Sequence, residues 1–173
     1  MSNVKPQLTA AYEVYLDGYR LVGTVEAELP NPQAVTVEIK GSGMGGPMDV
    51  PVQGQTQNMS IKLTWNTATK DVYKLLAEEY QHIELWASTQ NINTGTGKYE
   101  QKQQKVIVKG IPVGFNLGKF AQGEVQGQEN SLNISYLKWI YDGIEICEID
   151  IFNMKKVING NDMLANVRAA IGL

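Results

Sequence analysis

The sequence predicts a single, mainly β domain spanning residues 1–173. Runs in which polar and apolar residues alternate recur along most of the chain, and this period of two is typical of half-buried strands. Asp-Gly pairs at residues 17–18 and 142–143 each separate two such runs, and Asp-Gly favours the tight turns of antiparallel hairpins. With 43% hydrophobic and 19% charged residues, the chain has the composition of a globular domain rather than a disordered one.

The N-terminal part predicts an arm followed by a hairpin. Residues 1–10 are polar and contain a proline, which indicates an N-terminal arm. Residues 11–16 and 19–29 alternate on either side of the first Asp-Gly pair and form the first predicted hairpin. Pro30 and Pro32 end it, because proline has no N–H to donate to a neighbouring strand.

A long loop is predicted between two further strands, at residues 34–40 and 57–65. Residues 41–55 read GSGMGGPMDVPVQGQ, and ordering such a segment costs about 1–2 kcal/mol per residue in backbone entropy. Its apolar side chains are ones that a solvated loop tip does not need: Met44, Met48, Val50 and Val52. We therefore expect a loop that orders on assembly, with a disordered surface loop as the alternative.

The same segment contains a glycine pattern that resembles a nucleotide-binding motif. Gly41, Gly43 and Gly46 spell G-x-G-x-x-G after a predicted strand. A dinucleotide site needs a helix that begins at the third glycine, but Pro47 and Pro51 follow instead. The pattern therefore does not predict a nucleotide site.

Residues 66–79 predict one amphipathic helix, with Asn66 or Thr67 as its N-cap. Its apolar residues share one narrow face: Val72, Leu75 and Leu76. A narrow apolar face indicates a helix that lies against a sheet.

The chain then returns to strands. Residues 82–90 and 105–112 alternate, whereas residues 91–104 are polar and predict a loop or hairpin end. Lysines between residues 98 and 109 make this part locally basic, which is more typical of a solvated face than of a nucleic-acid site. Residues 115–128 contain several glycines and predict a twisted or bulged strand.

The clearest hairpin pairs residues 132–141 with residues 144–152. A two-residue Asp-Gly turn predicts three cross-strand pairs: Tyr141 with Ile144, Trp139 with Ile146, and Leu137 with Glu148. A terminal helix follows, with Asn159 or Asn161 as its N-cap and Gly172 at its end. Leu164, Val167 and Ile171 share one face of this helix, and Arg168 lies towards its C-terminal end.

No catalytic or metal-binding constellation is present in the sequence. The chain has one His and one Cys, His82 and Cys147, each within a predicted strand and without a surrounding motif. Strict alternation places Glu145 on the face opposite Glu148 and Asp150, so these carboxylates do not converge. We therefore expect no enzyme, no cofactor and no metal.

The charge and hydropathy of the chain exclude other classes. Its 15 basic and 18 acidic side chains give a net charge of −3, which argues against tight nucleic-acid binding. No run approaches the length of a membrane span, and the first ten residues lack the apolar stretch of a signal peptide. We expect a protein that folds in a cytoplasm and has no membrane anchor.

Several stretches carry a family resemblance across nearly the whole chain. They are Asp17-Gly18, Leu29-Pro30, Gly43-Met44, Glu148-Ile149-Asp150, Asn153 and the C-terminal pattern I-N-G-x-D-x-L-x-x-x-R-x-x-I-G-L from Ile158 to Leu173. With these features the chain resembles the major tail tube protein of contractile-tailed phages and the related R-type phage-tail bacteriocins. The C-terminal pattern is the most specific part of the resemblance.

The resemblance implies a structural protein with an antiparallel β-sandwich or barrel, one flanking helix and a short C-terminal helix. Six copies would form a ring, and rings would stack into a hollow tube in the virion tail, assembled in the bacterial cytoplasm. Implied partners are a tail sheath protein, a baseplate or tube initiator, a tape measure protein and a tail terminator. DNA would pass through the lumen without sequence-specific binding. A ring of six chains of charge −3 would carry about −18, so acidic groups facing the lumen would repel DNA.

The central loop and the C-terminal pattern together supply candidates for inter-subunit contact: Gly43, Met44, Met48, Val50, Val52, Asn159, Gly160, Asp162, Leu164 and Arg168. Two alternatives remain open. A tube protein of a related contractile secretion system would share the composition and the loop, and a small-ligand β-barrel would be monomeric with one pocket.

Overall fold

The protein is mostly antiparallel β-structure. A computed structural model describes residues 3–21, 25–67 and 69–173. Its strands are β1 Val4–Leu16, β2 Tyr19–Arg20, β3 Val25–Glu28, β4 Ala34–Ile39, β5 Met48–Thr56, β6 Met59–Trp65, β7 Gln81–Asn93, β8 Lys98–Asn116, β9 Gln128–Tyr141, β10 Ile144–Asp150, β11 Lys155–Ile158 and β12 Asn161–Asp162. A 3-10 helix, Val72–Leu76, precedes β7, and the helix α1, Ala165–Ala170, follows β12.

Two sheets are formed within the described residues. The larger has the strand order β12-β11-β10-β9-β8-β7-β1-β2, and β6 branches from it by pairing with β9 on one side and β3 on the other. The smaller sheet contains only β4 and β5. Every strand pair is antiparallel, which confirms the predicted mainly antiparallel fold.

The core lies between the β3–β6 branch and the inner face of the main sheet. The inward positions of β6 alternate as predicted and are at most 1% exposed: Met59, Ile61, Leu63 and Trp65. Buried side chains from β1, β7, β8 and β9 pack against them, including Val14, Ile83, Val108 and Leu132. The Trp65 indole N–H donates to Asn130 Oδ1 at 3.0 Å, so its one polar atom is satisfied in the core.

Both Asp-Gly turns are confirmed. Asp17 and Gly18 have φ of 48° and 82°, and Asp142 and Gly143 have φ of 50° and 79°. The first hairpin is shorter than predicted, because β2 ends at Arg20 and the next strand, β3, pairs with β6 instead. Residues 22–24 of the predicted strand lie outside the described residues.

The second hairpin contains a bulge that the sequence did not reveal. Tyr141 lies opposite Ile144 as predicted, but Trp139 lies opposite Cys147 and Leu137 opposite Ile149. The register shifts between Glu145 and Cys147, because one extra residue is inserted there. The two other predicted pairs are therefore wrong by one residue.

Three segments expected as arm or loop are strands. From Val4 onward the predicted arm belongs to β1 and pairs with β7. Residues 48–55 of the predicted long loop belong to β5, so only residues 40–47 connect the hairpin. Residues 98–104 belong to β8, while most of the strand predicted over residues 115–128 is a loop.

Both predicted helices are shorter than expected. The first is a single 3-10 helix with Val72 and Leu75 buried and Leu76 exposed. It ends at Leu76, and the Gln81 side chain donates to the backbone oxygen of the C-cap residue Ala77 at 3.0 Å. Residue 68 of the predicted helix lies outside the described residues.

The terminal helix begins at Ala165 rather than after an asparagine cap. Asn159 and Gly160 have φ of 49° and 80° and form the turn between β11 and β12, so neither asparagine caps the helix. The predicted end at Gly172 is confirmed: its φ is 82°, and Leu173 N–H donates to Arg168 O at 2.9 Å.

Candidate assembly surfaces

The β4–β5 hairpin has one apolar face that the subunit leaves uncovered. Val37 lies opposite Val50 and Ile39 opposite Met48, so all four side chains share this face. Val37, Ile39 and Met48 are 52%, 44% and 59% exposed, and Met44 in the connecting turn is 42% exposed. A two-stranded sheet has marginal stability alone, so an exposed apolar face on one indicates a surface that a partner covers.

The C-terminal pattern forms a compact unit within the subunit. Asp162 Oδ1 accepts the Leu164 N–H at 2.9 Å, and Asp162 Oδ2 lies 2.5 Å from Arg168 Nη2. Arg168 Nη1 also donates to Met154 O at 2.8 Å. The hydrogen bond from Arg168 lowers the pKa of the Asp162 carboxyl below its ordinary value. Asp162 and Arg168 therefore join the β12 strand to the helix α1.

The hairpin and the C-terminal unit meet at Gly54. Leu164 is only 6% exposed, and a Cβ added at Gly54 would lie 1.9 Å from Leu164 Cδ2. Gly54 also has a φ of +76°, which side chains rarely adopt. Beside this contact, Gln53 Nε2 donates to Met163 O at 3.3 Å. The two stretches that the sequence singled out are therefore packed together.

A cavity of about 360 Å³ lies next to this contact. Its apolar lining comes from β10, the following turn and the C-terminal unit: Ile149, Ile151, Met154, Leu164 and Val167. On the hairpin side, Lys156 Nζ donates to Thr56 Oγ1 at 3.2 Å. The base of the hairpin is thus held by a few contacts around an open space.

The candidate contact residues fall into three groups by exposure. Five residues are exposed: Gly43, Met44, Met48, Asn159 and Gly160. Four are half-buried, namely Val50, Val52, Asp162 and Arg168, and Leu164 is buried. The connecting turn and the start of β5 are thus exposed, whereas Asp162, Leu164 and Arg168 make contacts inside the subunit.

A cluster of charged groups lies where the bulge in β10 changes the alternation. Glu148, 8% exposed, lies 2.7 Å from Lys155 Nζ and accepts the Tyr136 hydroxyl at 3.0 Å. Lys138 Nζ lies 2.5 Å from Glu145 and 3.8 Å from Glu148, so the bulge places both carboxylates on one face. Burial opposes ionisation of Glu148, but the hydrogen bonds from Lys155 and Tyr136 outweigh it and lower the pKa of the carboxyl.

One exposed aromatic residue was missed by the sequence analysis. Phe120 is 94% exposed in the loop between β8 and β9. The loop is held in place because Gln126 Nε2 donates to Leu117 O and Lys119 N–H donates to Gln126 O, both at 3.0 Å. An aromatic side chain presented by an ordered loop is typical of a protein interface. The only sequence signal was a few large apolar residues, Leu117, Phe120 and Val125, in an otherwise polar and glycine-containing stretch.

The ends of β1, β7 and β8 form a three-stranded extension, which we call the ribbon: residues 5–11, 87–93 and 98–104. Strand β7 is its middle strand, paired on both sides. In the described part of the chain, the outer edges at residues 5–10 and 98–101 pair with no other strand. An unpaired strand edge is a ready surface for another chain.

The faces of the ribbon are rich in amides, and Leu8 and Tyr99 are exposed apolar exceptions. Gln90 Nε2 donates to Gln7 Oε1, and the Ser88 hydroxyl donates to Gln101 Oε1, both at 2.9 Å. The ribbon therefore has faces suited to water and edges suited to strand pairing.

The described residues form no recognisable catalytic site. His82 on β7 and Cys147 on β10 are separated by β8 and β9, and burial raises the pKa of the Cys147 thiol. No group of three His, Cys, Asp or Glu side chains gathers as metal ligands in ranges 3–21, 25–67 and 69–173. None of the helices in those ranges is long and apolar enough to cross a membrane.

Comparison with known proteins agrees with this structural picture. Residues 6–172 match the family model of phage tail tube protein FII. The tail tube protein of Escherichia phage P2 is 27% identical over 97% of this chain and 98% of that protein.

Two solved structures share the fold. Both come from cryo-electron microscopy of the extracellular contractile injection system PVC in its extended state. A chain of the sheath/tube terminator matches with a TM-score of 0.55 and 14% identity over 78% of this chain and 96% of that one. A chain of the sheath-tube complex matches with a TM-score of 0.51 and 16% identity over 75% and 87%. The chain belongs to the phage tail tube protein FII family and is a structural component of a contractile tail tube, not an enzyme.

Proposed function

We propose that six copies of this chain close into a ring through their ribbons, and that rings stack into the hollow inner tube of a contractile tail. The observation that carries the proposal is the ribbon itself. It extends beyond the core, and its two outer edges face away from each other on either side of β7. Edge-to-edge addition of copies around a rotation axis satisfies these edges and leaves none exposed.

Stacking between rings is assigned to the β4–β5 hairpin. Its exposed apolar face, with Gly43 and Met44 in its connecting turn, would be covered by the neighbouring ring. The Asn159-Gly160 turn is exposed and would lie at a subunit boundary. The proposed domain division is one tube domain over residues 1–173, in which residues 41–55, the predicted inter-ring loop that comprises most of the connecting turn and most of β5, contact the neighbouring ring.

The tube would serve as the conduit for genome ejection, or for envelope puncture in a headless tailocin. DNA would pass through its lumen without sequence-specific contacts. Assembly in the bacterial cytoplasm would start on a baseplate initiator, follow a tape measure protein, end at a tail terminator and be surrounded by a sheath. A tube protein of a contractile injection system is the second candidate, supported by the fold shared with the PVC chains. The near full-length relation to the phage P2 protein favours the phage-type tail.

The test is negative-stain electron microscopy of concentrated protein, with and without a tail fragment as a seed. We expect straight hollow tubes whose end views show six-fold symmetry. Removing residues 1–8 deletes part of one ribbon edge but leaves Val14 and Leu16 in the core, so this variant should fold and form no rings. Seeded wild-type protein that stays monomeric, or a truncated variant that still forms tubes, would contradict the proposal.

A further inference from the structure

We propose that the C-terminal unit, residues 159–173, sets the direction of the β4–β5 hairpin through the contact of Leu164 with Gly54, and that stacking depends on this contact. The inference rests on the proposed stacking role of the hairpin. It gives the C-terminal pattern a role inside the subunit, in which Asp162, Leu164 and Arg168 position another element rather than touch a neighbouring copy.

The hairpin needs such a support because, apart from its contact with the C-terminal unit, the described residues hold it by a few hydrogen bonds at its base, including the one from Lys156 Nζ to Thr56 Oγ1. Strands β4 and β5 pair only with each other among the described strands. At their base, Gln57 N–H donates to Gln33 O at 2.8 Å, and Asn58 Nδ2 donates to Asn133 Oδ1 at 3.1 Å. These bonds fix where the hairpin leaves the body, but they do not fix where its far end points.

The Leu164 side chain packs against the backbone of Gly54. The backbone at Gly54 has a φ of +76°, and its missing side chain leaves the space that Leu164 Cγ and Cδ2 occupy. A Cβ there would lie 2.5 Å from Leu164 Cγ, closer than carbon atoms approach without displacement. An alanine at residue 54 would therefore strain the backbone and push the two elements apart.

Leu164 is in turn held in place by Asp162 and Arg168. The helix α1 has six residues, which is too short to be stable without outside contacts. Asp162 accepts the Leu164 N–H, and Arg168 ties Asp162 to the Met154 carbonyl. The ion pair therefore fixes the backbone from which Leu164 reaches Gly54, which makes Asp162 and Arg168 positioning residues.

The cavity beside the contact gives the hairpin room to move when the contact is lost. It has a volume of about 360 Å³ and is bounded on one side by the hairpin, at Gln53 to Thr56. Leu164 and Val167 also line it. Shortening Leu164 enlarges this space instead of exposing the main core, so the subunit should remain folded while the hairpin loses its direction.

The test combines a distance measurement with an assembly assay. Spin labels at Ser42→Cys in the hairpin turn and Ser60→Cys on β6, in a Cys147→Ser background, report the hairpin direction in the unassembled subunit. Leu164→Ala and Gly54→Ala should broaden or shift the distance distribution. Gly114→Ala is the matched control, because its Cβ would meet only Ser131 at an ordinary 3.7 Å.

The same substitutions without labels or Cys changes are then assayed for tubes and rings. Leu164→Ala and Gly54→Ala should lose tubes while single rings remain, and Gly114→Ala should form both. Unchanged distances in Leu164→Ala overturn the positioning role, and changed distances with normal tubes overturn its link to stacking. Wild-type protein that forms rings but never stacks would overturn both the stacking role of the hairpin and the dependence of stacking on the Leu164 contact. It would do so even if the spin-label distances change in the variants. Thermal unfolding of each variant establishes that the core is intact.

Discussion

The apolar face of the β4–β5 hairpin gives the sharpest quantitative prediction. Ile39 and Met48 lie opposite each other and are 44% and 59% exposed. Full burial of an Ile or Met side chain contributes about 1.5–3 kcal/mol, so covering the exposed half contributes about 1 kcal/mol for each. Replacing both with serine should therefore weaken the addition of each subunit by about 2 kcal/mol, or roughly 30-fold in critical concentration.

The assay is the protein concentration that remains unpolymerised after tubes are removed by high-speed centrifugation. The double variant Ile39→Ser/Met48→Ser should raise this concentration without changing thermal unfolding of the subunit, because both side chains are already largely exposed. Glu38→Gln/Asp49→Asn is the matched control, since these residues form the adjacent cross-strand pair on the opposite face of the hairpin. Equal critical concentrations for the wild type and the serine variant would refute an apolar stacking contact.

Three further predictions concern the core, the buried carboxylate and the exposed loop. Leu63→Ala should lower the free energy of unfolding by about 2–5 kcal/mol in urea titration, because Leu63 is fully buried; a loss below about 1 kcal/mol would contradict the core assignment. Glu148→Gln should lower the free energy of unfolding by about 1–2 kcal/mol at neutral pH. The lowered pKa of Glu148 stabilises the native state above its unfolded pKa of about 4.3, and this contribution is lost as pH falls through the native pKa. As the pH is lowered, the free energy of unfolding should therefore fall less steeply in Glu148→Gln than in the wild type. An identical dependence on pH would exclude the ion-pair contribution. Phe120→Ser should change unfolding by less than about 0.5 kcal/mol but weaken tube formation, and normal tubes would show that Phe120 is not an interface residue.

Local sequence signals predicted the elements that depend on local chemistry. The two Asp-Gly turns were found because positive φ at both positions strongly restricts the residue types. The alternation of residues 57–65 identified β6 because one of its faces is completely buried. The register of β9 against β10 was lost after Glu145, because one inserted residue leaves no mark in a run that is apolar on both faces.

Elements that depend on tertiary contacts were misassigned. Strand β5 was interpreted as a loop because it contains Pro51 and Gly54, yet a strand in a two-stranded sheet tolerates both. A helix was predicted over residues 66–79, but the structure has one 3-10 helix there, Val72–Leu76. The side chain of Gln81 from the next strand completes its end. The contact between Gly54 and Leu164 joins residues 110 positions apart, so no local pattern could indicate it. The family assignment came from the resemblance and not from periodicity.

The charges on the ribbon change the expectation of an acidic lumen. If the ribbon lines the tube, as proposed, the charged groups on and beside it affect DNA more directly than the net charge of −3 of the whole chain. Lys102 Nζ, on the ribbon, lies 2.5 Å from Asp142 in the neighbouring hairpin turn, and just beyond the ribbon Lys105 Nζ lies 2.9 Å from Glu84. Nucleic-acid affinity requires basic groups that neutralise phosphates, and a lysine that is already paired with a carboxylate neutralises a phosphate poorly. If DNA passes through the proposed lumen, lysines paired in this way would bind its phosphates weakly, and weak adhesion would then not require an excess of carboxylates on the lumen wall.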